Sequence, residues 1–176
     1  MSKSCFELIT DRLILRELIE EDLDAMCRLS LDEEVTKFLD YIKFDTREKV
    51  AEWLRGKIVY NNERLRHSYN LAITLKATGM VVGWVGIGEP SDKTKADLDF
   101  GYAVEKEYWR QGYASEALKA LLSFCFSELH VRTIAGDCDS ENIASVKVME
   151  KVGMHLDYVK KEDGRFVKHF VIKDVS

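Results

Sequence analysis

Apolar residues recur along this chain with two periods, and the places where the period changes divide it into elements. Arg12-Leu13-Ile14-Leu15-Arg16 alternates loosely, but its leucine and β-branched content, ended by an acidic stretch, predicts a first strand. Leu23, Met26, Cys27 and Leu31 follow at helical spacing. Asp45-Thr46 supply capping residues for a second helix reaching Asn61, with Val50, Trp53, Leu54 and Ile58 on one face. Asn61 to His67 is polar and reads as a solvated loop. Tyr69 to Leu75, Met80 to Ile87 and Leu98 to Val104 read as three antiparallel strands. Their turns fall at Ala77-Thr78-Gly79 and around Pro90-Ser91-Asp92-Lys93.

The second half changes rhythm at Val104. A charged turn through Trp109, Arg110, Gln111 and Gly112 leads into a helix whose Ala114, Ala117, Leu118, Leu121, Leu122 and Cys125 form one face. Arg132 to Cys138 is the next strand. Asn142 opens a helix with Ile143, Val146, Met149 and Val152 expected inward, and Gly153 stands where a left-handed cap is wanted. His155 to Lys160 and Arg165 to Ile172 form a last hairpin through Asp163-Gly164. The expected plan is α+β, with about seven strands in a mixed, mostly antiparallel sheet and about four flanking helices.

Composition narrows the classes. With 176 residues, 46% hydrophobic and 32% charged, and a single proline, the chain suits one domain over residues 1–176 without linker or repeat. The first ten residues lack the apolar core of a signal peptide, and no apolar run approaches the ~20 residues of a membrane span, so the expectation is a cytoplasmic protein without membrane contact. A formal charge of −5 argues against nucleic acid as a partner and suits a cationic small substrate better. Cys5, Cys27, Cys125 and Cys138 form no C-x-x-C, and His67, His130, His155 and His169 show no metal spacing, so neither a metal nor a disulfide framework is indicated.

The candidate chemistry concentrates at Gly112. Glycine there permits positive φ and close backbone approach, Ala114 and Ser115 are small, and a helix start offers orphan N–H donors with roughly half a positive charge. Such a turn can hold a pyrophosphate by backbone alone, with Arg110 adding a guanidinium. A tight strand-to-helix connection that binds nothing has the same sequence. Gly83-Trp84-Val85-Gly86-Ile87-Gly88 is no dinucleotide loop, because its spacing is not G-x-G-x-x-G and it opens no helix.

Taken with Asp99-Phe100-Gly101-Tyr102-Ala103-Val104 upstream and Asn142-x-x-Ser145 and Glu150-Lys151-x-Gly153-Met154 downstream, the turn resembles the GCN5-related N-acetyltransferases. Within them the resemblance is to the ribosomal-protein N-terminal acetyltransferases, and it spans nearly the whole chain from Leu8-Ile9-Thr10-Asp11-Arg12. It implies acetyl-coenzyme A as acetyl donor and a sheet splayed between its fourth and fifth strands. It implies that backbone amides of Arg110, Gln111, Gly112, Tyr113, Ala114 and Ser115 hold the pyrophosphate. Main-chain groups of Tyr102, Ala103 and Val104 would pair with the pantetheine arm, and an N–H near Ala103 to Val104 would polarise the thioester carbonyl. Asn142 is carried over as a side-chain contact to that arm, Ser145 as the hydroxyl that protonates the leaving thiolate, and Asp99 as the base. Phe38, Tyr41 and Trp53 are expected to line the acceptor pocket.

Each carries a plainer alternative: helix capping for Asn142 and Ser145, a solvent-facing strand residue for Asp99, core packing for the aromatics. Trp109 stands where the general family pattern has Gln or Arg. The expected activity is acetyl transfer to a primary amine, either a protein N-terminus or a small amine, by a monomer or homodimer. The alternative is a non-catalytic acyl-coenzyme A-binding module of the same fold.

Overall fold

The computed structural model describes residues 6–62, 66, 68–90 and 96–174. In chain order these form β1 (Glu7–Ile9), β2 (Leu13–Glu17), α1 (Leu23–Ser30), α2 (Arg47–Asn61), β3 (Ser68–Leu75), β4 (Val81–Gly88) and β5 (Leu98–Val104). They continue with α3 (Tyr113–Ser127), β6 (Thr133–Asp139), α4 (Ile143–Lys151), β7 (His155–Glu162) and β8 (Arg165–Lys173). One sheet runs in the order β1-β2-β3-β4-β5-β6-β8-β7, antiparallel everywhere except between β5 and β6.

The sheet thus has eight strands where about seven were expected, and the addition is β1, which pairs Glu7 with Arg16 and Ile9 with Ile14. Three residues with one polar member carry too little periodicity to announce a strand. Because of it, the strands expected to splay as fourth and fifth are β5 and β6.

Alternation along the strands builds a core on each face. Leu71 and Ile73 of β3, Val85 and Ile87 of β4 and Val104 of β5 pack with Leu118, Leu121, Leu122 and Cys125 of α3. Ala72, Trp84 and Ala103 point the other way, onto Met26 and Leu29 of α1 and Val50 and Leu54 of α2. The sheet therefore separates an α3/α4 side from an α1/α2 side.

Local chemistry sets the ends. The Thr46 hydroxyl accepts the Lys49 N–H at 3.3 Å and caps α2. Asp163 and Gly164 both take positive φ, 46° and 83°, as a two-residue hairpin requires. Two expectations are corrected. Asn61, read both as the end of the helix and as the start of the loop, belongs to the helix: it ends α2 buried, its amide donating to the Asn70 carbonyl at 2.8 Å while its Oδ1 accepts the Asn70 N–H at 2.9 Å, so that helix is pinned to β3. Ile143, expected inward, is 53% exposed in the first turn of α4, whose buried face is Val146 and Met149. The predicted turn residues Ser91, Asp92 and Lys93, and Glu63, Arg64, Leu65 and His67 of the predicted loop, lie outside the described residues, as does Cys5.

Candidate active site

The site begins where the sheet parts. β5 and β6 pair only at Leu98 with Ile134 and Asp99 with Ala135. Beyond that β5 stays with β4 as far as Val104 opposite Gly83, and β6 stays with β8 as far as Asp139 opposite Val167. The inner edges of residues 100–104 and 136–139 thus face a wedge that no strand of the described residues fills. At its narrow end the Phe100 ring lies over Gly136, where a Cβ would come within 2.5 Å of the ring. Only glycine leaves that ring its place. At the wide end the Trp109 indole N–H donates to the Val104 carbonyl at 2.7 Å, giving the departure from the family pattern a job in holding the strand end.

Below the wide end lies the turn into α3. Gly112 has φ 83°, and Arg110 adopts φ 61°, a left-handed conformation that costs a non-glycine residue about 1 kcal/mol or more. The Gly112 carbonyl accepts the Glu116 N–H at 3.0 Å and the Ser115 hydroxyl at 3.2 Å. That is the first bond of the helical ladder, so the N–H groups of Tyr113, Ala114 and Ser115 precede it and have no helical acceptor. Lys151 Nζ and Arg12 Nη2 lie 3.6 Å and 3.5 Å from where a Gly112 Cβ would stand. Arg12 also donates to the Gln111 carbonyl at 3.0 Å, pairs with Glu116 at 2.7 Å and lies over the Tyr113 ring. Gln111 itself bonds the Glu107 carbonyl at 3.1 Å. A pyrophosphate fits this place: amides at a helix start with no acceptor among the described residues, two cations beside them, and a glycine whose missing side chain keeps the approach open.

On the same side, Asn142 accepts the Ser145 N–H at 3.1 Å, so it caps α4 as the plainer reading held. Capping leaves its amide nitrogen without an acceptor among the described residues. The Ser145 hydroxyl is 2.7 Å from that of Tyr102, whose ring stacks on Phe100 at 6.2 Å. Burial raises the Tyr102 pKa, with the Ser145 hydrogen bond acting against it, so this phenol stays protonated. Burial likewise pushes the neighbouring Cys138 thiol up to about 11.

On the α1/α2 side the parting opens into a cavity of about 850 Å³. Phe38 and Tyr41 stand in its wall with Trp84, Asp99 of β5, Asp137 and Asp139 of β6 and His169 of β8. The Tyr41 ring is half exposed, but its hydroxyl reaches in toward Gly101, and burial there raises its pKa. Trp53 stands one layer back, edge-on to Trp84 at 5.5 Å and outside the lining. Lys57 reaches into the cavity from α2; burial lowers its pKa, and the Asp99 carboxylate pulls the other way. Asp40, Glu89, Asp99, Asp137 and Asp139 against Lys57 and His169 leave the lining rich in carboxylates. Among the described residues no group of His, Cys, Asp and Glu could hold a metal ion, and no helix is long and apolar enough to cross a membrane.

Sequence reasoning missed Arg12, Lys151, Tyr102's hydroxyl and the pair Asp137 and His169. None has a local signal: Arg12 meets Glu116 across 104 positions and His169 meets Asp137 across 32.

Residues 12–155 match the model of the acetyltransferase (GNAT) domain. The chain is 30% identical over 166 residues to an uncharacterized N-acetyltransferase, p20, of Bacillus licheniformis, covering 91% of this chain and 90% of that one. Among solved structures it is similar to a GNAT-family acetyltransferase from Bacillus anthracis, with TM-score 0.83, 23% identity and 96% and 98% of the two chains covered. It is similar also to RimL, a ribosomal L7/L12 α-N-protein acetyltransferase solved with coenzyme A, with TM-score 0.80, 18% identity and 96% and 98% covered.

Proposed function

The chain belongs to the GNAT family of N-acetyltransferases, and we propose that it moves the acetyl group of acetyl-coenzyme A directly onto a primary amine held in the carboxylate-lined cavity. The observation that carries this reading is the parting of β5 and β6 after Asp99 and Ala135, which joins the slot above α3 to the cavity on the other face.

Bound in that slot, the thioester supplies an activated acetyl carbon and a thiolate leaving group. The N–H groups at the start of α3, with Arg12, Arg110 and Lys151 around them, hold the pyrophosphate. Main-chain groups of Tyr102, Ala103 and Val104 take the place of a missing strand partner for the pantetheine amides, and Asn142 adds its free amide. A main-chain N–H at Ala103 to Val104 polarises the carbonyl, where one aligned donor contributes about 3 kcal/mol. Ser145 protonates the departing sulfur and is resupplied through the Tyr102 hydroxyl.

The amine must arrive neutral, although an α-amino group has a pKa of about 7.8 and a lysine about 10.4. Asp99, in the cavity wall, draws the ammonium into place. Relatives in fold act on a ribosomal-protein terminus, and a protein α-amine is one acceptor we propose. The acidic, aromatic-walled cavity equally suits a small amine carrying further positive charge. Among the described residues three cysteines are free and buried, which fits a reducing compartment, and we place the activity in the cytoplasm.

Thermal unfolding with and without acetyl-coenzyme A tests the reading at once, since a ligand at a hundred times its dissociation constant adds about 2.7 kcal/mol. An upward shift followed by mass-spectrometric detection of an acetylated peptide or polyamine supports it. Absence of any shift removes the slot from the account.

A further inference from the structure

His169 is buried, 6% exposed, on β8, and it lines the same cavity as Asp99. The sheet brings it there by register. His169 is the Cα partner of Asp137 in β6 and of Tyr158 in β7, so all three share the cavity face. Its Nδ1 lies 2.6 Å from Asp137 Oδ1, and its ring stacks on Tyr158 at 4.5 Å. Lys160 Nζ sits 2.9 Å from the other Asp137 oxygen. A carboxylate set between a lysine ammonium and an imidazole accepts from both, so Nδ1 is the donor. Neutral His169 then carries its lone pair on Nε2, which has no hydrogen-bond partner among the described residues. An imidazole in a cavity wall, with one nitrogen fixed by a carboxylate and the other carrying the lone pair, is the arrangement of a positioned base.

Resting on the acetyl-transfer reading, we propose that His169 takes the proton from the acceptor ammonium, with Asp137 as its positioning residue and Asp99, in the same lining, holding the ammonium. The ammonium gives one proton to Nε2. The neutral amine then forms the N–C bond to the acetyl carbon as the C–S bond breaks, and the nitrogen's second proton reaches the departing sulfur through Ser145. The imidazolium returns its proton to water, so each transfer releases one proton net. Asp137 balances the imidazolium charge while it lasts. The titratable groups in contact with His169 are Asp137 from β6 and Tyr158 from β7, the cavity lining they share adds Asp40, Tyr41, Lys57, Tyr60, Glu89, Asp99 and Asp139, and Lys160 acts on the ring through Asp137.

The test compares the parent with His169→Gln, Asp137→Asn and Asp99→Asn, using acetyl-coenzyme A with spermidine and with a seryl-initiated octapeptide. Thermal unfolding with acetyl-coenzyme A first checks that each variant folds and binds the donor. His169→Gln is expected to lower kcat/KM for the amine about 100-fold, leave the KM for acetyl-coenzyme A unchanged, and abolish the acid limb of the pH profile. Asp137→Asn should lose about tenfold, and Asp99→Asn should raise the amine KM yet keep the limb. Independently of turnover, ¹⁵N spectra of the parent should show one histidine ring in the Nδ1–H form that disappears in His169→Gln and loses its preference in Asp137→Asn. A His169→Gln enzyme within twofold of the parent, or one retaining the limb, overturns the assignment and leaves acetyl transfer standing. So does a His169 ring protonated at Nε2 in the neutral protein. A parent that bound the donor but acetylated neither probe would overturn both.

Discussion

The two faces of the parted sheet are built from different materials. On the α3/α4 side the slot is made of backbone and small side chains: unpaired amides, Gly112, Gly136, and the capping pair Asn142 and Ser145. On the α1/α2 side the cavity is made of side chains gathered from β4, β5, β6, β8 and α2, many of them charged or aromatic. A main chain offers the same donors whatever the sequence around it, which suits a donor molecule of fixed structure. Side chains from scattered elements can each be exchanged without disturbing the others, which suits an acceptor that differs between relatives.

If that division holds, one substitution on the backbone side should be near total. Gly112→Glu adds a Cβ at φ 83°, 3.5 Å from Arg12 Nη2 and 3.6 Å from Lys151 Nζ, and so brings a carboxylate in among the cations of the turn. The variant is expected to fold but to lose the stabilisation by acetyl-coenzyme A, a fall of at least 100-fold in affinity, or about 2.7 kcal/mol. Calorimetric titration reads it directly. Affinity within threefold of the parent would move the pyrophosphate elsewhere.

A smaller, kinetic effect belongs to the hydroxyls at the junction of the two faces. Ser145→Ala should lower kcat about 30-fold, within the range for a single proton-transfer group, with the KM for acetyl-coenzyme A unchanged. Because the Asn142 cap uses the Ser145 backbone N–H, the helix end survives the substitution. Tyr102→Phe keeps the stack on Phe100 and loses only the hydroxyl 2.7 Å from Ser145, so it should cost several-fold at most. Steady-state kinetics in both substrates separates the two. Equal loss in the two variants would mean that the pair acts as one unit, and no loss in Ser145→Ala would take the hydroxyl out of the proton path.

What the sequence made legible follows the same line. The Gly112 turn, the Asn142 cap, the Thr46 cap and the Asp163-Gly164 hairpin are each decided within a few residues by turn and capping chemistry, so they could be placed before any fold was known. The parting of β5 and β6 came only by resemblance, since nothing in either strand's own composition says that pairing stops at Asp99 and Ala135. Helical spacing singled out Trp53, yet the cavity wall is Trp84, because a strand residue's face depends on register with its neighbours. His169 read as an isolated histidine for the same reason: its partner is 32 positions away and is brought opposite it only by β6 and β8 pairing. Charge on the acceptor side was visible as composition but not as a place.

The mildest test concerns how the slot is held from outside. Glu116 accepts the Thr10 hydroxyl at 2.7 Å and the Arg12 N–H at 2.9 Å on one oxygen and the Arg12 guanidinium at 2.7 Å on the other, tying the β1–β2 turn to the first turn of α3. Burial alone would raise its pKa, but the Thr10 hydroxyl, the Arg12 N–H and the Arg12 guanidinium together hold it below the ordinary carboxylate range. A carboxylate depressed in the folded state contributes its stability above its unfolded pKa of about 4.3 and loses it as pH falls through the folded value. Glu116→Gln is therefore expected to destabilise the protein by about 1 kcal/mol at pH 7, with parent and variant converging as the pH is taken below about 4. Denaturant unfolding at a series of pH values measures the gap. A gap that stayed constant into acid would mean that the bonds act through shape and not through charge, and that the cofactor turn is braced by the Thr10 hydroxyl and the Arg12 N–H alone.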